Sequence, residues 1–186
     1  MAKEADVRAI VIQGLSILLI CAFIELAAGF TLKGMENRLA LLPGLLVMVP
    51  PLLDLRGNIN GALASRLGTA LHTGIIEPRL ALTAEVKTNI ISSLVLSLLA
   101  SATIGVLSFM ACILTGVETI GILKLMAIAV VAGFTSGVIL ALMTFAVAVV
   151  AYVKGLDPDN VTSPAMATIG DFVTVACIFF AVLLVG

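Results

Sequence analysis

Apolar residues gather along this chain into five long runs, at 7–32, 39–55, 89–115, 122–153 and 164–185, separated by short polar joints. A helix needs about 20 mostly apolar residues to cross the hydrocarbon core of a bilayer, and each run reaches or approaches that length. The pattern predicts an all-α integral membrane protein with five transmembrane helices, forming one domain over residues 1–186. The first run exceeds the roughly 7–15 apolar residues of a signal peptide and no A-x-A site follows it, so it is expected to remain as the first span. The second run is the shortest and holds Pro43, Pro50 and Pro51. Proline lacks an N–H and crowds the preceding turn, so these residues are expected to kink the helix and free carbonyls within it.

A finer period adds detail. The stretch NINGALASRLGTAL at 58–71 places Ile59, Leu63, Leu67, Ala70 and Leu71 on one helical face, with Gly74 and Pro78 ending the helix. Two arrangements satisfy it: an amphipathic helix on the inner interface, or an inward continuation of the second span whose Asn and Asp side chains line an ion entrance. In the third run Ser93, Ser97, Ser101 and Gly105 recur every four residues; in the fourth, Ala129, Gly133, Gly137 and Ala141 do. Small residues at that spacing make a face where backbones approach closely. Both stripes are expected to be packing surfaces, within a subunit or across a dimer.

Composition narrows the classes. Hydrophobic residues make up 61% of the 186 and charged residues 11%, against roughly 45–50% and about 25% in soluble domains. Lipid must cover the surplus. The net charge of −1 lacks the basic footprint that nucleic acid requires. Cys21, Cys112 and Cys177 sit in separate apolar runs without a CxxC pair, as small core residues do. No HExxH, Walker A, Gly-x-Ser-x-Gly or paired intramembrane aspartate motif occurs, and the lone His72 has no acid or nucleophile near it in sequence, so no enzyme is expected. Five spans put Lys3, Arg8, Arg56, Arg66, Arg79, Lys87 and Lys154 on one side and Lys33, Arg38 and Lys124 on the other. The richer side belongs in the cytoplasm, which places the N-terminus inside and the C-terminus outside the cell membrane.

Charge within a span is costly and marks function. Asp171 is the clearest case. With Ser163 as N-cap and Pro164 at the first helical position, it lies about 10 Å into the fifth helix, and no Lys or Arg of that span answers it. It either holds a proton or faces a wet cavity and meets a cation, and the cation reading is adopted. Glu25, the other deep acid, is expected to snorkel outward or to pair with Lys33 or Arg38. Asp54, beside Arg56 and one turn before Asn58, is expected at the interface as a pore-mouth residue. In DPDNVTSP, at 157–164, each proline biases the residue before it away from helix. Asp157 and the side chains and carbonyls of Asn160, Val161, Thr162 and Ser163 are thereby free to line a polar cavity.

The stretch PPLLDLRGNINGALASRLGTALHTG, at 50–74, resembles the signature of MgtE-type Mg²⁺ transporters, in which a Pro is followed by Gly-Asn and then an Arg. Within it LRGNINGALASRLGTA is closer to the eukaryotic solute-carrier branch, and DPDNVTSPAMATIGD, at 157–171, resembles that branch's final-helix signature. The two fall in the family's order and spans, so the resemblance covers essentially the whole chain. It implies a homodimer of five-helix subunits with a pore on the two-fold axis, between the second and fifth helices. It puts the family's fifth-helix acid on Asp171, its pore-lining Asn on Asn58 and its carbonyl ligand on Ala167. Ser163 stands where bacterial relatives can carry Asn, and Arg56-Gly57-Asn58 replaces their Gly-Gly-Asn. The cytosolic sensor and CBS domains of bacterial members do not accompany these motifs, so feedback through them is not expected.

The candidate ligands Asp171, Asn58, Ala167, Ser163, Asn160, Asp54 and Asp157 are all oxygen donors. Mg²⁺ takes octahedral oxygen and keeps several waters, held by one or two carboxylates. Zn²⁺ and Cu would call for thiolate or imidazole; Mn²⁺, Co²⁺ and Ca²⁺ are compatible with oxygen. The ion is cargo and no cofactor is expected. The partners are divalent ions, the lipid bilayer and a second copy of the chain. Two rivals stand beside a channel-like pore: a Na⁺- or H⁺-coupled exchanger, and a non-transporting scaffold subunit, which would have no use for Asp171.

Overall fold

The computed structural model describes residues 7–34, 36 and 42–185, with the side chains of 7–14, 16–18, 159 and 160 outside that description. Among the described residues there are five helices and no strand: α1 (Val7–Gly34), α2 (Leu45–His72), α3 (Ala84–Thr115), α4 (Ile122–Val153) and α5 (Pro158–Val185). Of these, α3, α4 and the Val161–Val185 part of α5 are long and apolar enough to cross a membrane.

Two helices depart from the expected spans, and the reasons are local. The second was expected over 39–55. It begins instead at Leu45, after a turn in which the Leu45 N–H reaches the Leu42 carbonyl at 3.1 Å and Gly44 adopts φ 84°. It then runs unbroken through Pro50 and Pro51 to His72. The 58–71 stretch is therefore a continuation of the second helix and not a separate one, and its apolar face explains why. Leu63, Leu67, Ala70 and Leu71 pack with Val86 and Ile90 of α3 and with Ala141, Phe145, Ala148 and Val149 of α4. Burial of that face holds the helix past two residues that each remove a backbone donor. Gly74, with φ 72°, stops it as expected.

The fifth helix was expected from Pro164 but starts at Pro158. The Asp157 carbonyl takes the Val161 N–H at 3.3 Å, and Pro158 fills the first position, where its missing N–H removes no helical bond. Pro164 and Ser163 consequently lie inside the helix, and the Asn160 carbonyl loses the donor that residue 164 would supply.

Packing inverts the soluble pattern. The face that α3 buries is Ser93, Ser97, Ser101, Gly105, Ser108 and Cys112 with Val86 and Ile90, while Ile91, Val95, Leu99, Leu107 and Leu114 are exposed. That serine stripe meets the glycine stripe of α4, so both expected packing surfaces join within one chain. A methyl group on Gly133 would sit 1.8 Å from Ser101 Oγ, and one on Gly105 would sit 2.6 Å from Met126 Cα. No side chain fits at either point. Two apolar clusters form the core. One joins Leu45, Met48 and Leu52 of α2 to Leu125, Ile128 and Ala132 of α4 and to Val175, Ile178 and Val182 of α5. The other is the α2–α3–α4 cluster already described. Between them, at mid-helix, lies a buried polar layer containing Arg56, Asn60, Ser97, Ser101 and Ser136. α1 packs chiefly on α5.

Candidate functional site

The site forms where the polar faces of α2 and α5 meet, and close contacts fix their register. A methyl on Gly61 would lie 3.3 Å from the Ser163 hydroxyl; one on Gly170 would lie 3.8 Å from Arg56 Cβ and 3.9 Å from Asn60 Nδ2. Numbers fall along one helix as they rise along the other. The pair is thus antiparallel, with Asp54 near the level of Asp171.

Spacing of four puts Ser163, Ala167 and Asp171 on one face of α5, and all three are half-buried. With the helix starting at Pro158, Asp171 lies about 20 Å along it, twice the depth expected from a start at Pro164. It is the middle of α5. Across the seam Asp54 and Asn58 share the exposed side of α2, and Asn58 Nδ2 donates to Asp54 Oδ2 at 2.9 Å. That bond fixes the amide so that its oxygen remains free to accept from a hydrated ion.

Two charges act on the Asp171 carboxylate, those of Glu25 and Asp54. Glu25 is exposed, and of its two expected basic partners Lys33 is bonded to Glu36 and Arg38 lies outside the described residues. On α1, Ile20, Cys21 and Ile24 line a groove with Val161, Ala165, Thr168 and Ile169, so Glu25 follows at the depth of Asp171. Among the described residues no three acids, histidines or cysteines converge on one ion position. A single chain therefore offers a wall of carboxylate and amide oxygen.

Asp157 is not brought to this wall. It sits just before the N-terminus of α5, its Oδ1 3.6 Å from His72 Nε2, about 20 Å from Asp171 along the helix. It supplies the acid neighbour that His72 lacked in sequence, and Tyr152 closes on the imidazole edge-on with centroids 5.3 Å apart. The side chain of Asn160 lies outside the described residues. Thr162 is buried, and its Oγ1 has no partner among the described residues.

One residue was misplaced altogether. Arg56, expected at the interface beside Asp54, is fully buried. Residues two apart are about 200° apart around a helix, so Arg56 points inward where Asp54 and Asn58 point out. Its Nη1 donates to Ser97 Oγ at 2.9 Å and its Nη2 to Ser101 Oγ at 3.2 Å. Gly133 and Gly137 leave room for the guanidinium: methyls there would come within 3.4 Å of Nη2 and 3.0 Å of Nη1. The signal was present in the two small-residue stripes, whose hydroxyls and missing side chains make the receptacle. Further along the same serine ladder, Arg66 Nη2 donates to Ser93 Oγ at 3.0 Å.

The sequence model of the MgtE family, described as a divalent cation transporter, matches residues 49–181, from the first turns of α2 almost to the end of α5. The chain belongs to the MgtE family. It is also 30% identical over 136 residues to solute carrier family 41 member 3 of Rattus norvegicus and, to the same degree, of Mus musculus. These alignments cover 71% of this chain but 29% and 28% of the two relatives, so the chain spans under a third of their length. The MgtE match takes in the whole α2–α5 seam. It makes the all-helical architecture that of a membrane transporter family for divalent cations.

Proposed function

We propose that this domain moves divalent cations, Mg²⁺ foremost, across a membrane through a pore on the two-fold axis of a homodimer, with α2 and α5 as its wall. The observation that carries the reading is the seam itself. A mid-helix carboxylate, Asp171, stands level with Asp54 and the oriented amide of Asn58, on a face that a single chain leaves open. Two such faces opposed across an axis would surround a hydrated ion with oxygen from both copies. Mg²⁺, which gives up water reluctantly, is suited to carboxylates that hold it through its hydration shell. Ser163 and the Ala167 carbonyl extend the same face toward the α5 N-terminus.

In this reading all five helices cross the bilayer as one domain, with the N-terminus cytoplasmic and the C-terminus outside. Removing buried Arg56 from the seven basic residues of the inner side leaves six against three, so the positive-inside bias persists. A coupled exchanger is the second reading, favoured by the solute-carrier name of the relatives; flux that requires a Na⁺ or H⁺ gradient would select it.

The test is Mg²⁺ uptake by liposomes holding the purified chain. Asp171→Asn keeps the side chain's shape and removes about two charges from a dimeric site. Uptake should fall by an order of magnitude or more while insertion and dimer cross-linking persist. Asn58→Ala should reduce it only a few-fold, because a neutral oxygen contributes less than a carboxylate to holding a hydrated ion. Near-native uptake by the Asp171→Asn protein would show that the pore lies elsewhere.

A further inference from the structure

Among the described residues Arg56 is the only charged side chain that is fully buried, and the oxygen wall described above makes no use of it. We propose that Arg56 is a fixed counter-charge, set behind the α2 wall, that weakens the hold of the seam on a divalent cation so that a bound ion can leave. The inference rests on the Mg²⁺ reading of the seam.

Three features carry it. The first is depth: Arg56 Cβ lies against Gly170, the residue before Asp171, so the cation stands at the level of the acid, one helix behind it. The second is that its charge is not cancelled. Its acceptors are the neutral hydroxyls of Ser97 and Ser101, Nε has no partner, and no carboxylate of the described residues forms an ion pair with it. The third is confinement, since both Nη atoms are bonded to serine hydroxyls and lie where methyls on Gly133 and Gly137 would come within 3.4 and 3.0 Å of them. A fixed, unneutralised charge in a low-dielectric interior acts across the width of a helix. It repels a divalent ion and at the same time attracts the empty carboxylates. Both effects favour the emptied, ionised site over the loaded one. Two opposed Asp171 carboxylates with no counter-charge behind them would hold a divalent ion strongly, whereas conduction needs binding weak enough for the ion to leave.

A guanidinium that merely clips α2 to α3 would serve folding and leave affinity untouched, so the test separates charge from packing. Mg²⁺ flux through the full chain in liposomes is measured against Mg²⁺ concentration. Arg56→Gln should lower the half-saturating concentration about tenfold and lower maximal flux. Arg56→Lys, which keeps the charge, should retain the native half-saturation even where its melting temperature drops. A second variant avoids removing the arginine. Ser97→Asp places a carboxylate against Nη1, keeps the guanidinium packed and cancels its field, and should reproduce the tenfold fall; Ser97→Asn should not. Half-saturation within twofold of native in both Arg56→Gln and Ser97→Asp would overturn the inference. So would equal shifts in the charge-preserving and charge-cancelling variants. Flux that survives Asp171→Asn would overturn the site reading itself, which is a separate outcome from any of these.

Discussion

Two polar regions stand at the same depth on opposite sides of α2, and they satisfy the cost of polarity in different ways. On the outward side Asp54, Asn58 and Asp171 present negative and neutral oxygen to the exterior of the chain. Their remaining partners must be water, an ion or a second copy. On the inward side Arg56 is sealed among Ser97, Ser101, Gly133 and Gly137, where hydroxyls of the same chain accept hydrogen bonds from its two Nη groups. A buried charge without hydrogen bonds is among the costliest features a fold can carry. The Nη groups of the inward layer are therefore satisfied within the chain, although Arg56 Nε and Asn60 Nδ2 find no partner among the described residues, whereas the outward seam is left for something else to complete. Substitutions should divide accordingly: those that disturb packing or hydrogen bonds in the layer should act first on stability, whereas those on the seam should act on flux and leave stability nearly unmoved.

The largest effect is expected where the layer is tightest. Gly133→Leu drives a side chain into Ser101, whose Oγ would lie 1.8 Å from the first added carbon. Neither backbone can yield without separating α3 from α4 and exposing the Arg56 receptacle. Overpacking of a dense core ordinarily costs about 1–3 kcal/mol, and here loss of the buried hydrogen bonds adds to it. Failure to recover a monodisperse protein is the expected outcome. A Gly133→Leu protein with native melting temperature would mean that α3 and α4 do not meet at this layer.

Next comes Ser97→Ala with Ser101→Ala. The backbone fits unchanged, but the guanidinium loses both acceptors while remaining buried, at a cost on the order of 3 kcal/mol for the pair. The melting temperature should drop markedly. Asn58→Ala, which removes one heavy atom more from the seam, should leave it nearly unmoved. Equal drops for the two would erase the distinction between the layer and the seam.

The sequence made one of these regions legible and hid the other. Asp171 announced itself because an acid in a long apolar run has no local explanation. The face of Ile59, Leu63, Leu67, Ala70 and Leu71 was equally plain, since its period survives any choice between interface and core; only its partners, Ala141 and Phe145 among them, lay out of view. Arg56 was misread because it was counted with the basic residues of the inner side, beside an Asp54 expected at the interface. Two helical steps, about 200°, separate them, and the true partners lie 41 and 45 residues further on. The α5 start was misplaced for a related reason. Asp157-Pro158 and Ser163-Pro164 are both acceptable helix openings, and only packing of the segment against Gly61 of α2 decides for the earlier one.

The smallest expected effect lies on the same serine ladder and sharpens the comparison. Ser93 accepts from Arg66 as Ser101 accepts from Arg56, at 3.0 and 3.2 Å, so the two bonds are alike in chemistry and length. They differ in surroundings. Ser93 is buried, but Arg66 lies near the end of α2 and is exposed, so its remaining donors can reach water. Removal of the Ser93 hydroxyl lets Arg66 turn outward and resolvate, which limits the loss to about 0.6 kcal/mol, typical of a hydrogen bond between membrane helices. Arg56 has no such escape. Thermal melts of Ser93→Ala and Ser101→Ala, run in the same detergent, should therefore show a small shift for the first and a several-fold larger one for the second. Equal shifts would mean that the length of a bond, and not the burial of its donor, sets the cost along this helix face.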